Sequence, residues 1–302
     1  MGMPSTWQQG LSWLRAPANE LAFALRNALR WSRGAPILPD EGKQDLFAAL
    51  SPKARAQAER VANELTQRYD LHRLLARSTR ASWAGSLQHL LGLERLVGTL
   101  PLPMGADGVV RALDVGCGDF HYATALQRWL ARQASTSTTA ANSNSPATAS
   151  SVVLRGIELD GHGLYADWRS RADHARAHAD LAAVAGSTVL FQVGDFTRLA
   201  LPTQDVVTAF FPFLTSYACL RWGAPVSRCS PRRLLARAVA TVRPGGWLLV
   251  VNQTNDECGR LRRLLAQHPV ELVASCEWQC DLVPWRESTC GQIGSLWRRS
   301  LG

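Results

Sequence analysis

Short apolar runs separated by glycine- or proline-containing turns recur after residue 100, a pattern typical of buried strands. The runs occupy residues 109–115, 152–157, 189–193, 205–211 and 247–251. A helical pattern follows the first run and places Ala123, Leu126, Trp129 and Leu130 on one face. Strands that alternate with helices predict an α/β domain built on a sheet.

The first apolar run ends in a Gly-x-Gly turn formed by Gly116 and Gly118, and a helix begins just after it. A strand, a glycine turn and a helix N-terminus together form a place where the backbone can closely approach a ligand. A dinucleotide-binding fingerprint would need a third glycine at position 121, which is His121 here. The turn therefore indicates a nucleotide-binding domain of another kind.

The segment from Asp114 to Gly118, an acidic residue followed by x-Gly-x-Gly, resembles the first motif of the class I S-adenosylmethionine (SAM) dependent methyltransferases. Members of that family often carry a further glycine at position 120, where this chain has Phe120. The resemblance covers roughly residues 105–300. It implies a Rossmann-like, seven-stranded, mostly parallel sheet flanked by helices.

Two acidic residues at strand ends extend the resemblance in the family's order. Glu158 ends the second run, where the family's acid receives the two ribose hydroxyls of SAM, since a carboxylate accepts two hydrogen bonds at once. Asp195 follows the third run, where the family's residue accepts from the adenine amino group. The cofactor-binding set that the resemblance implies is Asp114, Gly116, Cys117, Gly118, Glu158, Leu159, Asp195 and Phe196.

Glu158 follows Gly118 by 40 positions in the sequence, about twice the spacing that is usual in such units. The excess lies in residues 133–151, which are rich in Ser, Thr, Ala and Asn and contain no charged residue. Such a tract buries too little apolar surface to fold, so it predicts a disordered insertion within one domain. The alternative interpretation is a linker between two domains, which would separate the glycine turn from its ribose acid.

Residues 1–104 predict a helical N-terminal subdomain, followed by the methyltransferase domain at 105–302. Ser51 followed by Pro52 marks a helix start, a second helix begins near Ser82, and residues 21–31 are amphipathic with several arginines. These helices are expected to pack on the catalytic domain. Two alternatives remain open: a lid over SAM and acceptor, and an Arg/Trp-rich helix at 7–33 lying on a membrane surface.

Composition is compatible with one large domain and a smaller one, since the 302 residues are 46% hydrophobic. No segment approaches the roughly 18 uninterrupted apolar residues of a membrane span, and no apolar signal core begins the chain, which predicts a cytoplasmic protein without stable membrane insertion. All basic residues but Lys43 and Lys53 are arginines, spread along the chain, and the net charge is +9. A solvated surface is favoured over a nucleic-acid surface.

The seven cysteines form no C-x-x-C pair, and no histidine accompanies them at zinc-ligand spacing. No metal site is therefore predicted. Their odd number suggests reduced thiols. Cys117, inside the glycine turn, is expected to behave as a small apolar residue whose backbone faces the cofactor.

The acceptor is expected beyond the fourth and fifth strands, near residues 210–213 and 252–254. Amino-group methyltransferases often have Asn/Asp-Pro-Pro-Tyr/Phe there, but Phe210 replaces the leading polar residue. An aromatic-walled pocket suits an apolar or aromatic small molecule, and the equally weighted alternative is that these phenylalanines fill the core. His121, His162 and Tyr217 are candidate bases, and no catalytic residue is assigned. RNA methylation and a non-catalytic assembly or regulatory role are the alternatives, and the oligomeric state is left open.

Overall fold

The computed structural model describes residues 13–105, 107–141, 151–278 and 291–301. From residue 13 onward, the described part of the chain begins with four helices: α1 (Ala16–Leu29), α2 (Pro52–Arg68), α3 (His72–Ala76) and α4 (Arg80–Val97). The expected start of α2 is confirmed, because the Ser51 side chain accepts a 3.4 Å hydrogen bond from the Ala54 amide and Pro52 occupies the first turn. The second predicted helix begins at Arg80, two residues before Ser82.

A seven-stranded sheet occupies the rest of the chain. Its strands are β1 (Val109–Val115), β2 (Ser151–Glu158), β3 (Ser187–Val193), β4 (Gln204–Phe210), β5 (Val242–Asn252), β6 (Val270–Glu277) and β7 (Ile293–Arg299). The helices between them are α5 (Ala123–Ala141), α6 (Arg171–Ala182), α7 (Ser216–Arg221), a 3-10 turn (Val226–Arg228), α8 (Pro231–Thr241) and α9 (Asn255–Leu265).

The strands are ordered β3-β2-β1-β4-β5-β7-β6, and β7 alone runs antiparallel to its neighbours. This arrangement confirms the predicted Rossmann-like fold, a mostly parallel sheet flanked by helices. The chain runs outward from β1 to β3 and then returns to place β4 on the other side of β1. This reversal opens a crevice at the carboxyl ends of β1 and β4, the place where ligands bind in such sheets.

Both faces of the sheet are covered. One core joins β1, β2 and β4 to α4 and α5 and contains Trp129, Leu126 and Trp278. The N-terminal helices α2 to α4 belong to this core, because Leu65, Leu74 and Leu90 are buried within it. The opposite core lies under α8 and α9. Helix α4 therefore packs on the sheet, and α2 and α3 join the same core through helix contacts.

The predicted disordered insertion at 133–151 is wrong for residues 133–141, because α5 continues to Ala141. Ser151 likewise lies in β2. Extending a helix that already exists costs far less than starting one, and alanine is the best helix former, so the tract prolongs α5. Ala134, at its start, is fully buried. Residues 142–150 lie outside the described part of the chain.

Residues 242–246, which contain Pro244 and two glycines, form an irregularity inside β5. Val242 pairs with Gln204 and Trp247 pairs with Val206, so the intervening residues of β5 have few counterparts on β4. The register then continues regularly from Trp247 to Val251. This places the apolar run 247–251 beside β4, as its sequence predicts.

Candidate functional site

The glycine turn after β1 faces open space. Gly116 and Gly118 adopt φ values of +75° and +60°, which side-chain-bearing residues rarely occupy. A side chain at either position would meet no atom within 4 Å. The Gly116 and Cys117 amides donate hydrogen bonds of 2.8 and 3.2 Å to the Ile157 carbonyl, which fixes the turn against β2. The turn is thus held by β2 on one side, and its other side is open.

Phe120 takes the backbone conformation of the glycine it replaces. Its φ is +57°, a left-handed value that costs a non-glycine residue on the order of 1–2 kcal/mol. The ring is fully buried and packs over Gly156 of β2, where a side chain would come within 2.8 Å of it. Burial of this large ring offsets the backbone cost. Phe120 is thus held in a backbone conformation that favours glycine by the burial of its side chain.

Glu158 joins the ends of β1 and β2. Its Oε2 accepts a 2.9 Å hydrogen bond from the Gly118 amide, and its Oε1 accepts from the Asp160 amide at 2.9 Å and from Arg171 at 3.3 Å. The residue is buried. A carboxylate has about four acceptor positions, so Glu158 retains capacity for a further donor above the turn.

Asp114 supports the turn from beneath. It is fully buried at the end of β1, where its two oxygens accept hydrogen bonds of 2.6 Å from Tyr122 and from Thr208 of β4. Burial raises the pKa of Asp114 to about 7, and the two hydroxyl donors only partly oppose this shift. The side chain faces the protein interior, so it shapes the turn through Tyr122 and Thr208.

Asp195 follows β3, as expected, and is held by its neighbours. Its Oδ1 accepts from the Thr197 amide at 3.0 Å and hydroxyl at 2.7 Å, and Oδ2 lies 3.5 Å from Arg228 and 3.4 Å from Arg198. The carboxylate is about one fifth exposed. It thus remains accessible at the carboxyl edge of the sheet.

The remaining residues of the implied set lie at the same edge, with differing exposure. Phe196 is buried in the core beneath α8, and Leu159 is half-buried. Cys117 is buried, with its sulfur near Gly156, and burial raises the pKa of its thiol well above the ordinary value. Contacts of these three residues with a cofactor stay predictions.

His121 is bound to the neighbouring acid. Its Nδ1 lies 2.8 Å from Asp119 Oδ1, and the ring is partly exposed. Burial opposes ionisation of Asp119, but His121 and His178 outweigh it and lower the pKa of that carboxyl. Of the other candidate bases, His162 has a pKa lowered by burial and by Arg30, and Tyr217 is half-buried on α7.

An aromatic cluster of His89, Tyr122, Phe210 and Trp278 fills the space between α4 and the end of β4. His89 stacks on Tyr122 at 4.1 Å and meets Phe210 edge-on at 4.7 Å. Its Nδ1 bonds to the Gly85 carbonyl at 2.7 Å, while its Nε2 is buried without a partner within the described residues. Burial lowers the pKa of His89 to about 3, so the ring is neutral.

Phe210 and Phe211 play different parts. Phe210 is buried in the aromatic cluster, as a core residue would be. Phe211 is half-buried at the edge of the sheet, with a φ of +58°, and its amide donates to the Val251 carbonyl at 2.8 Å. A left-handed phenylalanine stores strain of about 1–3 kcal/mol, and such strain concentrates at functional sites.

Asn252, at the end of β5, is fully buried, yet neither atom of its amide has a hydrogen-bond partner among the described residues. Leaving a buried polar group unpaired costs about 1–3 kcal/mol. The register of β4 and β5 puts Asn252 beside the strained Phe211. Both features meet at the edge where the acceptor was expected.

Helix α1 bridges two loops of this edge. At its C-terminal end, Arg26 binds Asp160 through two bonds of 3.1 and 2.9 Å, and Ser32 donates a 2.5 Å bond to Asp173. Near its N-terminal end, both Glu20 oxygens accept from Ser227 at 2.8 Å. The helix thus connects the loop after Glu158 with the 3-10 turn that carries Arg228.

Several residues of the site carry no motif that sequence reasoning detects. Tyr122, Thr208 and Arg171 contact Asp114 or Glu158 because separate elements come together, across 8, 94 and 13 residues of sequence respectively. Within the described residues, no group of three His, Cys, Asp or Glu side chains is arranged to hold a metal ion. No helix in that part of the chain has the length and apolarity needed to cross a bilayer.

Comparison with known proteins yields no matching family model and no matching curated protein. Solved structures do match. A putative class I SAM-dependent methyltransferase from Listeria monocytogenes is 15% identical with a TM-score of 0.44, and the match covers 97% of this chain and 88% of that one. Magnesium protoporphyrin IX methyltransferase from Synechocystis PCC 6803, crystallised with SAM, is 11% identical with a TM-score of 0.44, covering 84% and 99%.

TrmN from Thermus thermophilus is 16% identical with a TM-score of 0.40, and the match covers 71% of this chain. The chain spans about half the length of that protein, 48%. At these identities the likeness concerns the fold alone.

Proposed function

We propose that this protein is a SAM-dependent methyltransferase. The observation that carries the proposal is the 2.9 Å hydrogen bond from the Gly118 amide to Glu158, which unites a glycine turn and a buried carboxylate at the switch point of the sheet. A nucleoside ligand needs a close approach to backbone and an acceptor for its ribose hydroxyls. The joined ends of β1 and β2 offer both.

The residues fit such a cofactor. The space above Gly116 and Gly118 is free of protein atoms within 4 Å of a side-chain position, so the turn forms an open cradle. Glu158 would hold the ribose, and Asp195, which is partly exposed, would hold the adenine amino group. Below the cradle, the bonds from Tyr122 and Thr208 to Asp114 keep the turn in place.

When bound, SAM would supply a methyl group carried on a positively charged sulfur. The acceptor atom would bond to the methyl carbon in line as the carbon–sulfur bond breaks, which leaves S-adenosylhomocysteine. The contribution of the protein is therefore chiefly to hold the two reactants close and aligned. The carboxyl ends of β1 to β3 form the side of the crevice that would bind SAM, and those of β4 and β5 form the side that would bind the acceptor. Arg26 and Glu20 fix α1 across the loops that follow β2 and β4, which favours a closed arrangement of this edge.

A small molecule is the proposed acceptor. Phe211 offers a half-buried aromatic surface and Asn252 a buried amide without a partner, which together suit a ligand with an apolar body and one polar group. Where the acceptor must lose a proton, His121 is the best-placed base, because Asp119 orients its ring at the start of α5. The neutral His89 would serve as a hydrogen-bond acceptor in the same region.

A thermal-shift series on the intact protein tests the proposal. SAM and S-adenosylhomocysteine should each raise the melting temperature, since a ligand at about a hundredfold excess over its Kd stabilises the native state by about 2–3 kcal/mol. NAD should not. A shift with NAD and none with either SAM species would overturn the proposal, whereas SAM-stabilised protein that methylates only RNA would correct the acceptor class.

A further inference from the structure

Helix α1 turns its polar side chains toward the protein and its leucines toward the outside. Every polar side chain of the helix, namely Asn19, Glu20, Arg26 and Asn27, is half-buried against the body of the protein. Its exposed residues are all apolar: Pro17, Ala18, Leu21, Ala24, Leu25, Ala28 and Leu29, here called the outer face. Surface helices of soluble domains normally show the reverse pattern. An apolar face turned to the outside marks a surface that another body covers.

The outer face is large and continuous. Leu21, Leu25 and Leu29 follow at intervals of four and are 62%, 53% and 77% exposed. Leu14, about two turns before Leu21 and just ahead of α1, is 75% exposed. Residues at this spacing lie along one side of a helix. The stripe therefore runs the whole length of α1.

The orientation is held by specific bonds. On the inner side, Asn19 donates to the Leu220 carbonyl at 3.2 Å, and the bonds from Glu20 to Ser227 and from Arg26 to Asp160 lie on the same side. Turning the leucines inward would break all of them and would bring apolar groups to polar partners. These bonds therefore keep the outer face turned away from the described body of the protein.

Tryptophans stand at both ends of this helix. Trp13 and Trp31 are about half exposed, and Trp31 donates a 2.9 Å hydrogen bond to the carbonyl of Trp168, which is 67% exposed. Tryptophan has an apolar ring with one polar group, and it is enriched where a protein meets the headgroups of a bilayer.

The charge beside the outer face is positive. Arg15, Arg30 and Arg33 are exposed, whereas Glu20 is the one acidic residue between positions 13 and 39 and is bonded to Ser227. Two copies of this chain that met through α1 would bring these arginines together, and the segment 13–39 offers only Glu20 as an opposing acid. An anionic surface, by contrast, complements them.

We propose that the outer face of α1 docks this protein onto an anionic lipid membrane. The leucines would enter the boundary between headgroups and acyl chains, the tryptophans would lie at headgroup level, and the arginines would pair with lipid phosphates. The helix lies on the membrane and does not cross it. This proposal goes beyond methyl transfer and does not depend on it.

Cosedimentation of the full chain with vesicles tests the docking. The protein should bind vesicles of phosphatidylcholine that contain about a quarter phosphatidylglycerol, and it should bind pure phosphatidylcholine at least about tenfold less tightly, because the exposed arginines are attracted to an anionic surface. The double variant Leu21→Gln and Leu25→Gln should lower binding to the anionic vesicles at least about tenfold. Its melting temperature should stay at the wild-type value, because both leucines are exposed.

Exposed leucines elsewhere supply the control. Leu190 on β3 and Leu272 on β6 are 42% and 41% exposed, and the double variant Leu190→Gln and Leu272→Gln should bind vesicles as the wild type does. Equal loss in both double variants, or no binding of the wild type to anionic vesicles, would overturn the proposal. A wild-type dimer in sedimentation that Leu21→Gln and Leu25→Gln dissolve would assign the outer face to a second copy instead.

Discussion

Gly118 and Glu158 are 40 residues apart in the chain, and a 2.9 Å hydrogen bond joins the amide of one to the carboxylate of the other. The bond makes the glycine turn and the acid of β2 one structure. The same carboxylate binds the Asp160 amide, and Asp160 binds Arg26 of α1. A series of hydrogen bonds therefore links the proposed cofactor cradle to helix α1, which crosses this edge.

The openness of the cradle predicts the effect of a methyl group at Gly118. Gly118→Ala should weaken S-adenosylhomocysteine binding about tenfold or more, because the methyl group enters the space that the ligand needs and strains a residue with φ of +60°. Titration calorimetry measures the change.

Gly186 is the matched control, since it has φ of +79°, open space around it and a position before β3 away from the turn. Gly186→Ala should lose comparable stability and keep full affinity. Equal affinity loss in both variants would show that the effect arises from backbone strain.

The ion pair between Arg26 and Asp160 anchors the C-terminal end of α1. Arg26→Ala should raise amide hydrogen exchange in residues 16–29 at least about tenfold, because α1 buries none of its residues fully and depends on such bonds. The cost in global stability should be about 1 kcal/mol or less, since the arginine is partly exposed.

Arg128→Ala, which removes a pair with Asp70 elsewhere, should leave exchange in α1 unchanged. An α1 that stays equally protected in Arg26→Ala would mean that the bonds to Ser227 and Leu220 hold it alone.

Asp114 predicts a pH dependence of stability. Its pKa is raised from 3.8 to about 7 by burial, so the folded protein holds a proton there that the unfolded chain releases. Its contribution to stability is complete below about pH 4 and is lost as the pH rises to about 7. The variant Asp114→Asn lacks this titration, because an amide resembles the protonated acid.

Chemical denaturation at a series of pH values measures the difference between the two proteins. The free energy of unfolding of the wild type should fall relative to Asp114→Asn by roughly 1 kcal/mol per pH unit across that window. If the two free energies of unfolding differed by the same amount from pH 4 to 8, Asp114 would have the same pKa in the folded and the unfolded protein, which would contradict this prediction.

The two adjacent phenylalanines should separate in stability. Phe210→Ala removes a buried ring from the aromatic cluster and should cost about 3–5 kcal/mol. Phe211→Ala should cost clearly less, because the ring is half-buried, and it should reduce methyl transfer while leaving SAM affinity within about a few-fold. Equal destabilisation would place Phe211 in the core and remove support for an aromatic acceptor wall.

The strands near the site were predictable because each contains an apolar run between turn residues. In β4 every residue of that run is buried, as a strand covered on both faces requires, whereas in β3 only Val189 is buried. β6 has no such run, since exposed and half-buried residues are mixed along it, and its pairing with β7 depends on tertiary structure. The position of the cradle followed from local motifs. Arg171 and Tyr122 could not be foreseen, because their partners lie on other elements.

Helix α1 shows a limit of periodicity. Its polar residues cluster on one side together with Phe23, and the usual inference buries the opposite, leucine-bearing side. In the structure the polar side faces the protein, because Glu20, Arg26 and Asn19 find partners on loops that no sequence pattern reveals.

The measurement that tests the central claim most directly is calorimetric titration of S-adenosylhomocysteine into the wild type, Glu158→Ala and Glu94→Ala. Glu94 is a suitable control, because it also accepts bonds from an arginine and from a second donor, Arg68 and Tyr69, but lies on α4. The wild type and Glu94→Ala should bind alike, and Glu158→Ala should bind about tenfold to a hundredfold more weakly, since the ribose hydroxyls lose their acceptor. Unchanged affinity in a folded Glu158→Ala, or no binding to the folded wild type, would contradict the assignment of this edge of the sheet as a SAM site.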